Sequence, residues 1–263
     1  MDSPITSLKN PLVKQIRKLH QTKERHQQAQ FLLEGTHLIQ EAVAVGYPLT
    51  CLCYTSDWQS RYSVLWAQLN QRAKKMRLVS PAVLKGMSTT VNPDGVVAIA
   101  PRRESITIPT AEPSLGVVLE RLQDPGNVGT IIRTAAAAGS DGLWVSRDSA
   151  DLDHPKTLRA SAGQWFRMPI AVLESLPPAV AHWQQKSIQI VATTPMADLD
   201  YWDLDLCVPT VFLLGNEGAG LSAELLEMAT HRVKISLAAG VESLNVAIAA
   251  ALLLYEARRQ RSH

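Results

Sequence analysis

The feature that most constrains this chain is an order that recurs in its second half: an apolar run of strand length, a short polar loop, then a helix-forming stretch. Leu115 to Leu119 gives way to Asp124-Pro125-Gly126-Asn127 and then to the Ala-rich IIRTAAAA. TVFLL ends at Gly215 and turns through Asn216, Glu217 and Gly218 before a helix that Ser222 opens. VKI passes through a small-residue loop into a long apolar helix starting near Ser243. Parallel strands need crossover connections, so this order predicts a mostly parallel sheet with covering helices, continued by strand-like runs around Val145, Val172, Ile190, Phe212 and Val233. Asn127 is placed to cap the first helix, and the glycines after Leu214 let backbone meet a ligand closely.

The first half also alternates, with shorter elements. Strand-like runs at Phe31 to Leu33, Leu49 to Tyr54, Arg77 to Val79 and Val96 to Ala100 are separated by helical stretches at Thr36 to Val45 and Tyr62 to Ala73. This predicts a small α/β domain. Residues 101 to 114, PRRESITIPTAEPS, carry three prolines and little periodicity. The expected division is therefore a domain at 1–104, a linker at 105–114 and a second domain at 115–263.

Net charge is only +2, yet residues 1 to 30 hold Lys9, Lys14, Arg17, Lys18, Lys23 and Arg25 against Asp2 and Glu24, a local +4. Asn10 and Pro11 read as an N-cap and first helical residue, and Leu12, Val13, Ile16 and Leu19 follow at helical spacing, which puts Lys14, Arg17 and Lys18 on one face. A basic helical face tracks phosphates, and a solvated surface helix looks the same in sequence. Cys51, Cys53 and Cys207 lack the spacing of zinc or redox sites and read as buried free thiols; no metal site is expected. The N-terminal residues lack an uninterrupted apolar stretch, and the longest apolar run, Val246 to Leu254, is far short of the roughly 20 residues a bilayer requires, so the expected location is cytoplasmic, without a membrane partner. No Rossmann GxGxxG or P-loop signature occurs.

The segments NVGTIIRTA, LLGNEGAGLS and SLNVAIAAALLLYEARRQR, in that order, resemble the SpoU (TrmH-type) family of RNA ribose 2'-O-methyltransferases in the SPOUT superfamily. HPKTLRASAGQWFRMPI resembles the family's connecting stretch, and KNPLVK with FLLEG resembles the opening of its RNA-binding module. One departure stands in the third segment, where Ser236 and Leu237 follow Ile235 and the family usually has Pro and Met. The resemblance implies an α/β chain whose C-terminal domain is a trefoil-knotted parallel-sheet methyltransferase, preceded by a small α/β (L30e-like) RNA-binding domain. It further implies S-adenosylmethionine as methyl donor, RNA as partner, ribosomal before transfer RNA, and a homodimer.

Carried over residue by residue, the resemblance makes Arg133 the catalytic arginine, with Asn127, Glu217, Ser243 and Asn245 beside it. Gly215, Ile235 and Leu244 match the donor contacts, joined by Thr193, Gly218 and Leu237. A guanidinium keeps its proton in proteins, which suits Arg133 to holding a phosphate or ribose and stabilising a developing alkoxide rather than to taking a proton. Without the resemblance Arg133 reads as an exposed helix residue, Asn127 as a cap, Glu217 as a turn carboxylate, Ile235 and Leu244 as core. Lys9, Lys14, Arg17, Lys18 and Arg25 are the expected RNA contacts. The expected function is S-adenosylmethionine-dependent methylation of an RNA ribose 2'-hydroxyl. Two alternatives stand beside it: an RNA-binding protein that kept the fold without catalysis, and methylation of another acceptor.

Overall fold

The computed structural model describes residues 3–102 and 109–262; residues 105–108 of the expected linker lie outside them. Two compact units emerge, one formed by Met1–Glu104 with Asp151–Phe166, the other by Ser105–Ala150 with Arg167–His263. Residues 151–166 thus belong with the first unit, although the sequence division places them in the second domain.

The first unit contains α1 (Pro11–Lys18), α2 (Thr22–Gln28), β1 (Gln30–Glu34), α3 (Thr36–Ala44), β2 (Cys51–Tyr54), α4 (Ser56–Arg61), α5 (Ser63–Arg72), β3 (Met76–Leu78), α6 (Pro81–Met87) and β4 (Val96–Pro101). Its sheet runs β1-β4-β2-β3, antiparallel except for the β2–β3 pair. Asn10 caps α1, its Oδ1 accepting from Leu12 N at 2.9 Å, and Pro11 takes the first helical position, where a missing N–H costs nothing. Val13, Ile16 and Leu19 are fully buried against Val83, Leu84 and Met87 and the sheet residues Leu32, Cys51, Cys53, Val97 and Ile99. Each side chain of that size contributes about 1.5–3 kcal/mol by leaving water.

Residues 151–166 include a short helix at Pro155–Ala160 and tie themselves to the first unit by charge and by rings. Arg159 Nη1 donates to Glu34 Oε2 at 3.0 Å, and Arg25 Nη2 donates to Asp151 Oδ2 at 2.6 Å. Trp165 and Phe166 stack around Phe31 and Tyr47, with centroids 5.1 Å apart for Phe31–Trp165 and 5.3 Å for Tyr47–Phe166.

The second unit is built on a seven-stranded sheet in which every pair is parallel. Continuing the numbering with the 155–160 helix as α8, its elements are β5 (Leu115–Leu119), α7 (Pro125–Ala138), β6 (Gly142–Ser146), β7 (Ile170–Leu173), α9 (Pro177–Gln185), β8 (Gln189–Thr193), β9 (Leu199–Asp200), β10 (Thr210–Leu214), α10 (Ala223–Met228), β11 (His231–Lys234) and α11 (Val246–Arg261). The strand order is β7-β6-β5-β10-β8-β11-β9. β5 and β10 are buried along their whole length, as central parallel strands with both faces covered must be. α9 and α10 cover one face through Val180, Trp183 and Leu225. α7 and α11 pack together, aided by the small residues Ala135 and Ala138 on one and Ala247, Ala250 and Ala257 on the other. On α11, Ala247, Ala250, Leu253, Leu254 and Ala257 are buried, while Ile248 is 51% and Tyr255 50% exposed.

Two expectations are corrected. Of the three cysteines expected to be buried, Cys207 is exposed. Arg25, expected on an RNA-binding face, is fully buried, with its guanidinium also donating to Leu19 O, His20 O and Thr22 Oγ1. A guanidinium with all those partners inside has nothing left to offer a phosphate. Among the described residues, no helix is long and apolar enough to cross a membrane.

Candidate active site

The strands β5, β10, β8 and β11 lie side by side and parallel, so the loops that leave their carboxyl ends gather at one edge of the sheet. Strand order reverses there, which is where open α/β sheets place their ligand crevice. These loops carry nearly all of the residues singled out from the sequence.

The loop after β5 leads into α7, whose cap is Asp124 and not Asn127. Asp124 Oδ1 accepts from Gly126 N at 2.6 Å and Asn127 N at 3.1 Å, and Pro125 stands at the first helical position. The Asp-Pro pair wins because proline's fixed φ suits the first turn and its absent N–H leaves no donor to satisfy. Asn127 is therefore inside the first turn, with its side chain released for other work. Its Nδ2 donates to Glu217 Oε1 at 3.1 Å, and its Oδ1 accepts from Asn245 Nδ2 at 2.9 Å. Glu217 also accepts from Gln123 N at 3.2 Å and Asp124 N at 3.3 Å. Desolvation pushes the Glu217 carboxyl up, but the hydrogen bonds from Asn127 and from the backbone amides of Glu217, Gln123 and Asp124 outweigh it and hold the group below its ordinary range.

The loop after β10 is a knot of short bonds around Asn216. Its Oδ1 accepts from Gly218 N and Ala219 N, both at 2.9 Å, and its Nδ2 donates to Arg121 O at 2.8 Å. Asn216 N and Gly220 N are paired with each other's carbonyls at 3.1 and 2.9 Å. A Cβ added at Gly215 would meet Gly220 C at 2.2 Å, so this glycine is required by the loop folding back on itself. Arg121, which follows buried Glu120, holds φ at +55°, a conformation that costs a non-glycine residue roughly 1–2 kcal/mol. The neighbours that hold it there are Asn216, Gln123 through its own Nε2, and Ser146, whose Oγ accepts from Arg121 N.

The loop after β11 runs from residue 235 to 245 without helix or strand. Asn245 ends it as the cap of α11, its Oδ1 accepting from Ala247 N at 2.9 Å, so this one side chain starts the helix and reaches Asn127. The helix starts at Val246, so Ser243 remains in the loop.

Beneath these loops lies a cleft of about 590 Å³. Thr193, Gly215, Gly218, Ile235, Leu237 and Leu244, the six positions expected to contact the donor, all line it, as do Glu217, Ser243 and Asn245. Thr193 Oγ1 donates to Leu213 O at 3.1 Å, so it offers wall rather than a free hydroxyl. Apolar walls beside polar loop backbone suit an adenosine with a charged amino-acid tail. Arg133 does not line the cleft. It sits exposed on α7, with no hydrogen bond or ion pair among the described residues; the side chain that donates to Glu217 is Asn127. Lys9, Lys14, Arg17 and Lys18 are exposed in the first unit. Sequence reading missed Asp124, Asn216 and Asp200; an Asp before Pro and an Asn before Glu-Gly were readable cap and turn signals.

Residues 114–255 match the model of the SpoU rRNA Methylase family, and residues 10–98 match that of the MRM3-like substrate binding domain. An uncharacterized tRNA/rRNA methyltransferase of Synechocystis is 50% identical over 98% of this chain and 94% of its own. A 23S rRNA (uridine(2479)-2'-O)-methyltransferase of Streptomyces viridochromogenes is 36% identical over 90% of this chain and 85% of its own. Among solved structures, an AdoMet-bound rRNA methyltransferase of Sinorhizobium meliloti superposes with a TM-score of 0.84 at 36% identity, covering 98% of this chain and 97% of that one. By its sequence, its parallel sheet and the cleft at the carboxyl edge, this chain belongs to the SpoU rRNA methylase family.

Proposed function

We propose that this chain transfers the methyl group of S-adenosylmethionine to a ribose 2'-hydroxyl of ribosomal RNA. The observation that supports this most is the hydrogen-bonded series Asn245–Asn127–Glu217, which ties three loops together beside a cleft lined by all six expected donor positions. The reaction named for the Streptomyces relative and the AdoMet bound to the Sinorhizobium structure agree with the same reading.

The bound donor supplies an electrophilic methyl on a sulfonium. The chain's own residues supply position and charge. Ile235, Leu237 and Leu244 form apolar wall, and the backbone at Gly215 and Gly218 offers polar groups to the donor. Glu217, kept anionic by its donors, fixes the amide of Asn127, which in turn fixes Asn245. Among the described residues Arg133 has no hydrogen bond or ion pair, so its guanidinium is available to a phosphate or to the oxygen that loses its proton. Ser243 stands at the cleft where acceptor and donor meet.

The remaining parts of the proposal are the RNA contacts, the assembly and the setting. Lys9, Lys14, Arg17 and Lys18 track phosphates from the first unit, whose match to a substrate binding domain supports the assignment. A second copy covers the apolar side of α11, where Ile248 and Tyr255 stand half exposed. The chain is a cytoplasmic homodimer, and the trefoil knot expected from the resemblance is part of its methyltransferase unit.

Incubation with labelled S-adenosylmethionine and separately purified ribosomal and transfer RNA tests the substrate. Label in ribosomal RNA is expected; label confined to transfer RNA would reassign it, and label in neither would favour the non-catalytic alternative.

A further inference from the structure

The cleft wall after β11 contains Ser236-Leu237, the departure in the third segment from the Pro and Met usual in the family it resembles. Ile235 and Leu237 line the cleft, while Ser236, between them, does not. The Ser236 side chain points away from it, and its Oγ donates to Asp200 Oδ1 at 2.5 Å, short as hydroxyl bonds to a carboxylate are. Asp200 is itself held: β9 pairs in parallel with β11, with Leu199 opposite Val233 and Asp200 opposite Lys234. The bond therefore runs from the edge strand of the sheet to the cleft wall. Among the described residues, the backbone of the loop from 235 to 245 closes one turn, from Val241 N to Ala238 O at 3.1 Å, and Asn245 fastens its far end.

We propose that Ser236 and Asp200 form a positioning pair that holds Ile235 and Leu237 against the methyl donor, supplying by a side-chain bond the restraint that a proline ring would supply at position 236. A proline fixes its own φ near −65° and biases the residue before it toward extended backbone. A serine leaves both free, so a loop with serine there needs an external tie, and Asp200 provides one. The pair touches no reacting atom, so its effect falls on donor affinity and not on the chemical step.

This inference rests on the donor-site reading, and the experiment separates the two. Isothermal titration of S-adenosylmethionine into the full chain is compared for wild type, Ser236→Ala, Asp200→Ala, the double variant and Ser236→Thr, alongside steady-state methyl transfer. Each alanine variant should weaken donor binding about three- to tenfold, the size of one net hydrogen bond. The double variant should be no weaker than either single one, as for two partners of one bond. Ser236→Thr, which keeps the hydroxyl, should bind within about twofold of wild type, and KM for the donor should rise in the alanine variants while kcat changes less than about twofold. Wild-type affinity in both single variants, additive losses in the double, or a fall in kcat without a rise in KM would overturn the pair. A wild-type chain that binds no S-adenosylmethionine would overturn the donor site and the pair together.

Discussion

Asn127 and Glu217 meet at 3.1 Å, the amide Nδ2 in the first turn of α7 donating to a carboxylate oxygen of the loop after β10. The two residues are 90 positions apart, and the contact exists because β5 and β10 are neighbouring parallel strands whose carboxyl-end loops face each other. The cap of α7 is Asp124, so the Asn127 side chain is not spent on its own helix.

That separation of roles gives opposite signatures for two substitutions. Asp124→Ala should lower stability by about 0.5–2 kcal/mol, the usual loss of an N-cap. Asn127→Ala should leave urea unfolding within about 1 kcal/mol of wild type, yet slow methyl transfer about tenfold or more through lost positioning. Equal destabilisation by both would return Asn127 to a structural role.

Arg133→Ala should abolish methyl transfer and spare donor binding, since Arg133 is exposed and outside the cleft lining. Titration of S-adenosylmethionine beside a single-turnover assay reads both. Undiminished turnover would remove its assigned role.

Glu217 is held below its ordinary value of 4.5, because hydrogen bonds outweigh its desolvation. For a depressed carboxyl, the favourable contribution is complete above the ordinary value and is lost only as pH falls through the lower folded one. Donor affinity should therefore show no Glu217 titration between about pH 5 and 8, and an acidic limb below about 4.5 that Glu217→Gln removes. A limb between pH 5 and 7 that disappears in Glu217→Gln would mean the carboxyl is raised instead.

Arg25 and Asp151 form an ion pair with side chains 0% and 9% exposed. Asp151→Ala leaves a buried guanidinium short of its counter-charge and should cost about 3–5 kcal/mol in urea unfolding. Lys18→Ala, on the exposed face of α1, should cost less than about 0.5 kcal/mol. A loss below 1 kcal/mol for Asp151→Ala would show that water reaches the pair.

Reversing Lys14, Arg17 and Lys18 to Glu should weaken binding of ribosomal RNA and flatten its dependence on salt, because fewer counterions are released. Unchanged affinity across a salt series would make α1 an ordinary solvated helix.

What could be read from the chain and what could not divides along physical lines. Asn10-Pro11 announced α1, and the spacing of Val13, Ile16 and Leu19 announced its buried face, because local sequence sets both. The same logic applied to Asp124-Pro125 would have placed the start of α7 correctly; Asn127, another good cap residue, competed for the assignment. α4 and α6, at 6 and 7 residues, are too short for a helical period to show. Arg25 was misread because its burial depends on Asp151, 126 positions away, and charge in a sequence says nothing of depth. Gly215 lines the cleft as its sequence context suggests, but that a Cβ there would also meet the backbone of Gly220 depends on how the loop folds back on itself, which no local pattern shows. That Ile235 and Leu244 line the cleft was legible only through the resemblance, since alone they look like core.

The most direct measurement of the central claim is transfer of labelled methyl from S-adenosylmethionine to ribosomal RNA from cells lacking this activity, followed by nuclease digestion and mass spectrometry of the labelled nucleoside. The account predicts a single 2'-O-methylated nucleoside, absent with Arg133→Ala. Label on a base, or no label from a chain that binds the donor, would contradict it.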